Sequence, residues 1–238
     1  MIKLSISGCQ GRMGQRITAL ALNDKAFKIS ALLESKNRPD VPLLSHDIPV
    51  NFEDSALKGS HVLIEFTTPE ATIDHLKFCQ KYGVNMVIGT TGLSSAQIAQ
   101  VKKASSKIAI VFSSNMSVGV NLVFGLIRQA AQITGKNYSI GLSETHHVHK
   151  KDAPSGTAKT MAEIAQKYSK SKVADIASIR EGEVIGDHTI NFESPVDLIS
   201  IHHHAKNRDI FVEGSLVAAK FLSKKKKGLY NMQDVLGL

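Results

Sequence analysis

Between Glu144 and Thr157 the chain crowds three histidines, two lysines and a helix start into fourteen residues: Glu144-Thr145-His146-His147-Val148-His149-Lys150-Lys151-Asp152-Ala153-Pro154-Ser155-Gly156-Thr157. Histidine donates a proton near neutral pH. Lysine is a mobile cation suited to a carboxylate. A Gly-Thr pair opening a helix offers N–H groups to a second anion. Anion clamps and an acid are what the reduction of a conjugated, doubly carboxylated imine needs, once a hydride source is at hand. Clustered histidines also suggest a metal. Here the spacing is not H-E-x-x-H, no Cys completes a set, and the adjacent lysines repel a cation, so no metal is expected. A second triplet, His202-His203-His204, lies on a strand-like stretch. Alternation there sends His203 to the face opposite its two neighbours, and no role is assigned to it.

The hydride source is written at the start of the chain. Gly8-Cys9-Gln10-Gly11-Arg12-Met13-Gly14 follows an apolar run and opens a helix. Its spacing, G-x-x-G-x-x-G, is a variant of the dinucleotide fingerprint. Glycines let the backbone turn sharply against a pyrophosphate, and the helix N-terminus presents N–H groups and a positive dipole end. Arg12 adds a cation in the same turn. Glu34 lies 20 residues after Gly14, the approximate spacing of a carboxylate for the adenosine ribose. Lys36 suits a 2′-phosphate and Glu34 repels one, so NADH and NADPH both stay open. Gly89-Thr90-Thr91 and Ser113-Ser114-Asn115-Met116 end later apolar runs, as Thr67-Thr68 do. In an open α/β sheet such positions face the ligand, so the first two are candidates for ribose and nicotinamide contacts.

These residues need a scaffold, and the pattern supplies one. Apolar runs at residues 2–7, 27–33, 62–66, 85–88 and 108–112 alternate with helical stretches after Arg12, Pro69 and Ser94. Short buried runs alternating with helices imply a parallel sheet covered on both faces. The expected fold is α/β: an N-terminal, Rossmann-like, doubly wound sheet over residues 1–117, with the tail 221–238 returning to it. Residues 118–220 are expected to form a smaller α+β domain for substrate binding and oligomerisation, with helices at 118–134 and 156–168 and strands near 138–142, 176–179, 188–192 and 198–203. A third helix is expected at 208–222. The substrate is then expected in the cleft between the domains.

Composition excludes little and permits this reading. The 238 residues are 42% hydrophobic and 21% charged, ordinary for a globular chain. No run approaches the ~18 apolar residues of a membrane span, and the start reads as a strand rather than a signal peptide. The chain is therefore expected in the cytoplasm, away from membranes. Cys9 and Cys79 form no C-x-x-C pair and are expected as free thiols. The net charge is +8, yet aromatic residues are 5% with no Trp. Stacking platforms for nucleic acid are thus scarce, and none is expected as a partner. The one dense basic run, Lys224 to Lys227, reads as a solvated loop. The excess positive charge better suits small anions.

The sequence resembles the dihydrodipicolinate reductase family, also called 4-hydroxy-tetrahydrodipicolinate reductase, over nearly its whole length. The resemblance is carried by Gly8 to Gly14, Val87-Ile88-Gly89-Thr90-Thr91-Gly92, Asn115 to Asn121, Glu144 to Ala158, and the tail Gly228-Leu229-Tyr230-Asn231-Met232 with Asp234-Val235-Leu236. It implies an NAD(P)H-dependent oxidoreductase of lysine and diaminopimelate biosynthesis. By the same resemblance His146 is the proton donor and acceptor, Lys150 the second catalytic residue, His147 a substrate contact, and Gly156 with Thr157 a carboxylate holder. The cofactor contacts become Gly8, Cys9, Gln10, Gly11, Arg12, Met13, Glu34, Gly89, Thr90, Thr91 and Ser113 to Met116, and the assembly a homotetramer. Ser35 and Thr68 stand where the family often has Arg, which weighs against a strong NADPH preference. The stretch between Arg180 and His188 is shorter than in many relatives, which could alter the tetramer contacts. The competing reading is another two-domain NAD(P)-dependent dehydrogenase of a small anionic substrate. An aldehyde dehydrogenase of that plan would want a reactive Cys beside the nicotinamide, and Cys79 in mid-helix is poorly placed for that.

Overall fold

The computed structural model describes residues 1–36 and 41–238, which divide into two compact units, Met1–Met116 with Phe211–Gly237, and Ser117–Ile210. In the first unit β1 (Ile2–Ser7), α1 (Arg12–Leu22), β2 (Phe27–Leu33), β3 (Leu44–Ser45) and β4 (Ile48–Asn51) lead to a 3₁₀ turn at Asp54–Leu57. Then come β5 (Val62–Glu65), α2 (Pro69–Tyr82), β6 (Asn85–Ile88), α3 (Ser95–Ala104) and β7 (Ala109–Phe112). The second unit holds α4 (Val118–Thr134), β8 (Ser139–His146), α5 (Gly156–Ser169), β9 (Ala177–Arg180), β10 (Asp187–Glu193) and β11 (Leu198–His204). The chain then passes through α6 (Asp209–Leu222) to end in the first unit with β12 (Gly228–Tyr230) and α7 (Met232–Leu236).

The first unit's sheet has the order β12-β7-β6-β5-β1-β2-β4-β3. All its pairs are parallel except β3 with β4. Residues of β5 are buried throughout, as a parallel strand covered on both faces must be. One face packs Ile17 and Ala21 of α1 and Val212, Leu216, Ala219 and Leu222 of α6 against Leu4, Ile6 and Val111. The other packs Ile73, Leu76 and Cys79 of α2 and Val101 of α3 against Leu63, Met86 and Ile110. The second boundary therefore falls earlier than the expected residue 220, because from Phe211 on the apolar side chains of α6 fill the first unit's core. The β3–β4 hairpin, which periodicity did not reveal, extends the sheet beyond β2. The strand order reverses at β1 and β5, so the crevice at their carboxyl ends is the ligand position of a doubly wound sheet.

The second unit's sheet has the order β11-β10-β8-β9, with only β8 and β9 parallel. Ile140 and Leu142 of β8 and Ile190 and Phe192 of β10 point to one face, where Val123, Phe124 and Ile127 of α4 and Ala158, Met161 and Ala165 of α5 cover them. The same alternation carries Glu144, His146 and His188 to that face. Three polar side chains thus end the apolar rows.

Candidate active site

In the first unit Gly8 adopts φ +61°, the left-handed region that favours glycine. The turn closes with Gly11 N–H donating to Gly8 O at 2.9 Å. A Cβ on Gly14 would lie 2.1 Å from Gly8 O and 2.6 Å from Cys9 Cα, so α1 can start this close to the turn only because residue 14 is glycine. Gly11 caps α1 without a side chain, and no acidic residue enters its first turn. Nothing in α1 itself therefore competes for the N–H groups that every helix start leaves over. Arg12 is exposed beside them, and Met13 is half-buried.

A cleft of about 560 Å³ is lined by Gly8, Gly11, Leu33, Glu34, Ser35 and Lys36, with Phe66, Thr67, Thr68 and His75 across from them. Glu34 is oriented there by two backbone donors, Gln10 N–H to Oε2 and Ser35 N–H to Oε1, both at 3.0 Å. Lys36 is paired with Glu53. Thr68 caps α2, its hydroxyl accepting from Ala71 N–H at 3.3 Å. Thr90 Oγ1 accepts from Thr67 N–H at 3.1 Å. The Phe66 ring occupies the space a Cβ on Gly89 would need, at 2.2 Å. Of the other expected cofactor residues, Cys9 and Met116 turn their side chains into the core and can offer only backbone. Thr91 and Ser114 are exposed, and Ser113 Oγ donates to Asn115 O at 3.0 Å.

In the second unit the centre is a carboxylate to which the sequence assigned no role. The Glu144 side chain is fully buried. It accepts Arg180 Nη1–H at 3.1 Å and Nη2–H at 3.0 Å, a bidentate fork, and Ser155 N–H at 3.3 Å. Its Oε2 is also bonded to His146 Nδ1. That bond fixes the ring's orientation and leaves Nε2 as the working atom. Burial alone would raise the Glu144 carboxyl, but the bonds from Arg180 and His146 outweigh it and hold it below the usual range. Burial pushes His146 down. Its bond to Glu144 opposes this, while the Lys150 and Arg180 charges add to it.

Ser155 couples this pair to the start of α5. Its hydroxyl caps the helix through Ala158 N–H at 3.2 Å and lies 3.0 Å from His188 Nε2. Gly156 and Thr157 are the first residues of that helix. A Cβ on Gly156 would meet nothing within 4 Å, so the approach to its backbone is open. The His188 ring stands edge-on to His146 at 5.1 Å. Burial, and then the neighbouring His146 charge, push His188 down to about 4. His188 and Arg180 join this cluster, and sequence reasoning gave them no role. The one available signal was period two: His188 continues the buried row of Ile190 and Phe192. Lys150 Nζ donates to Asp152 Oδ1 at 2.8 Å. His147 has its N–H bonded to Val184 O at 2.6 Å and its buried Nδ1 without a protein partner. His202 and His204 both reach Asp187, while His203 turns to the other face, against Gly119 of α4. Among the described residues, no group of three or more His, Cys, Asp or Glu is placed to hold a metal ion. Among them also, no helix is long and apolar enough to cross a membrane.

The family models for dihydrodipicolinate reductase match both parts of the chain, the N-terminus model over residues 2–116 and the C-terminus model over residues 119–236. A 4-hydroxy-tetrahydrodipicolinate reductase of Nitrosomonas eutropha is 41% identical, the alignment covering 100% of this chain and 99% of that protein. The enzyme of the same name from Polynucleobacter necessarius is 39% identical over 100% and 99%. The first alignment runs over 268 positions against the 238 residues here, so that relative carries segments this chain lacks. Among solved structures, dipicolinate-bound dihydrodipicolinate reductase from Paenisporosarcina sp. TG-14 superposes with a TM-score of 0.86 at 25% identity, covering 98% of each chain.

Proposed function

The chain belongs to the dihydrodipicolinate reductase family, and from that premise we propose that it reduces 4-hydroxy-tetrahydrodipicolinate, as its dehydrated ring, to tetrahydrodipicolinate at the expense of a nicotinamide dinucleotide. The observation that carries the reading is the Arg180–Glu144–His146 arrangement beside the start of α5. It places an oriented acid next to a helix N-terminus fit for a carboxylate. A dipicolinate-bound relative of the same fold agrees with a ligand of that charge.

Bound NAD(P)H supplies the hydride. The first unit fits such a group: the turn leaves no room for a Cβ at Gly8 or Gly14, and Glu34 is aimed into the cleft beside it. The Gly156 and Thr157 end of α5 receives one substrate carboxylate, and Lys150 with His147 receives the other. Lys150 is tied to Asp152 only at an exposed ion pair, which a substrate carboxylate can replace at small cost. His146 Nε2 delivers a proton to the carbon next to the one reduced, and Glu144 steadies the imidazolium before transfer. Positioning and charge complementarity carry most of the rate.

Of the two dinucleotides, NADH is the better fit. Glu34 is held by two N–H groups as an acceptor for a ribose 2′-hydroxyl, and Thr68 offers no charge to a 2′-phosphate. The assembly is a homotetramer formed through the second unit's sheet. Both its helices pack on one face, and Leu198 and Ile179 stand exposed on the other. Light scattering at micromolar protein should give four times the mass of one chain. The deciding assay follows NADH and NADPH absorbance with freshly generated hydroxy-tetrahydrodipicolinate. Turnover should favour NADH, and His146→Ala with Lys150→Ala should abolish it while NADH affinity stays nearly unchanged. Retained turnover in the double variant would refute the assignment.

A further inference from the structure

A second buried carboxylate–imidazole pair lies under the dinucleotide cleft, where the catalytic reading makes no use of it. Glu65 ends β5 with its side chain fully buried. Its Oε2 accepts Ser7 Oγ–H at 2.6 Å and His75 Nδ1–H at 2.5 Å. Its Oε1 accepts Thr67 N–H at 3.0 Å and the Thr67 hydroxyl. Ser7 is the last residue before Gly8, and Thr67 touches Gly8: a Cβ there would be 2.9 Å from Thr67 Cγ2. One carboxylate therefore ties the end of β1 to the end of β5 at the point where the strand order reverses. On its far side His75 Nε2 lies 3.4 Å from Asp54 Oδ1.

The charges around the cleft give His75 its meaning. Among the described residues the lining includes Glu34, Asp54 and Asp74 with Lys36 and His75 as its basic groups, and Arg12 stands exposed at the nearby start of α1. Lys36 is exposed in its pair with Glu53, whereas the His75 side chain is mostly buried at 15% exposure. A ligand bearing a pyrophosphate thus enters beside Asp54 and the buried Glu65, and a charged imidazole between those two offsets them. We propose that His75 is a positioning residue for the cofactor: as the imidazolium bridging Glu65 and Asp54, it supplies the cation that lets this acidic end of the cleft hold a dinucleotide. This rests on the dinucleotide-binding reading above.

The surroundings set the direction with pH. Facing His75 are Glu65 from β5, Asp54 from the 3₁₀ turn, and Asp74, itself paired with Lys77, from α2. β6 and α3 contribute the apolar side chains of Met86, Ile88, Val101 and Ala104 to this side of the sheet, together with the Cys79 thiol of α2. Burial alone would lower His75. The bond to Glu65 and the charges of Glu65, Asp54 and Asp74 outweigh it and hold the imidazole above its ordinary 6.5. The cation then persists toward neutrality and is lost as pH rises through the raised value. A neutral ring still donates Nδ1–H to Glu65, so the fold survives while the charge goes.

The test is direct binding of NADH to the whole chain by calorimetry, without substrate, from pH 5.5 to 9. NADH is chosen because its pyrophosphate does not titrate there. Kd should rise about fivefold across the window, the scale of one unit charge acting over several ångströms in a partly screened site. His75→Gln should bind weakly at low pH and lose the pH dependence. Asp54→Asn, which leaves the buried ring in place, should move the midpoint to lower pH, and this keeps the test decisive if His75→Gln does not fold. A pH-independent Kd in the unaltered protein, or an undiminished pH slope in His75→Gln, overturns the proposal alone. No NADH binding at any pH overturns the dinucleotide reading with it.

Discussion

Glu144→Gln is the sharpest probe of the proposed active site, because it removes a charge and almost nothing else. Glutamine keeps the volume and one acceptor, so the Nδ1 bond of His146 can persist. At an effective dielectric near 20 a carboxylate about 4 Å from an imidazolium stabilises it by about 4 kcal/mol. Arg180 changes sign in effect: balanced by Glu144 now, it would face His146 as an unopposed cation. Allowing for solvent and relaxation, His146 falls further below its ordinary range. The protonated fraction near pH 7.5, and with it kcat, should drop about 10²-fold, within the range of a lost general acid. The sign follows from the same pair. Activity needs the protonated ring, so the limb on which kcat declines with rising pH should move to lower pH. NADH affinity should stay within about twofold, since a general acid contributes to the transition state rather than to cofactor binding. The assay is NADH oxidation at saturating substrate from pH 5 to 9. It must be run well below the melting temperature, because an unpaired Arg180 should cost about 3 kcal/mol of stability. A variant with kcat within threefold of the parent, or with an unmoved limb, would show that Glu144 does not set the state of His146.

His188 gives a stability prediction. Its folded value of about 4 lies below the ordinary 6.5, so folding favours the neutral ring. That contribution is present above about pH 6.5 and is lost as pH falls toward 4, up to about 3 kcal/mol. Denaturant melts should show this loss, and His188→Asn should flatten it. Gly14→Ala places a methyl against Gly8 O and Cys9 Cα, both backbone. Overpacking of this kind costs about 3 kcal/mol or more, so the melting temperature should fall and NADH binding should be lost. Thr68→Arg should raise the NADPH/NADH ratio of kcat/KM about tenfold, equivalent to 1.4 kcal/mol, with about 1 kcal/mol of stability lost with the cap. An unchanged ratio would mean that residue 68 does not reach the 2′ position.

What the sequence disclosed was whatever has a period or a spacing. The parallel sheet was legible because β1, β5, β6 and β7 are short apolar runs between helical stretches. The helix at 118–134 was legible from its long helical pattern, and the structure has it at Val118–Thr134. The glycine turn carried its own meaning, since Gly8 and Gly14 answer local steric demands. The β3–β4 hairpin was not legible, because strands of two and four residues bury too little to leave a pattern. The place of α6 was not legible either. Periodicity reports that a helix has an apolar face, not which core it fills. In the candidate site, His146 and Lys150 were conspicuous by density of type. Arg180 and His188 were not, because they reach Glu144 and Ser155 only after the register of β9 and β10 against β8 is fixed.

The two buried carboxylate–imidazole pairs show why residue types alone could not settle function. Glu65 and Glu144 are both fully buried, and each bonds a histidine through Nδ1. Taken alone, each pair should hold its imidazole charged. The neighbours decide otherwise. Burial lowers both, but at His75 the Glu65 bond with the charges of Asp54 and Asp74 outweighs it, whereas at His146 the charges of Lys150 and Arg180 add to it and the ring is lowered. The first arrangement keeps a fixed cation, which suits holding an anion. The second makes the proton easy to give up, which suits an acid that must let go. Exchanging the neighbours, by Asp54→Asn in one unit or Lys150→Met in the other, should move each histidine toward the other's behaviour. Chemical shifts of the two imidazoles across pH would follow both at once, and like movement in both variants would defeat the argument.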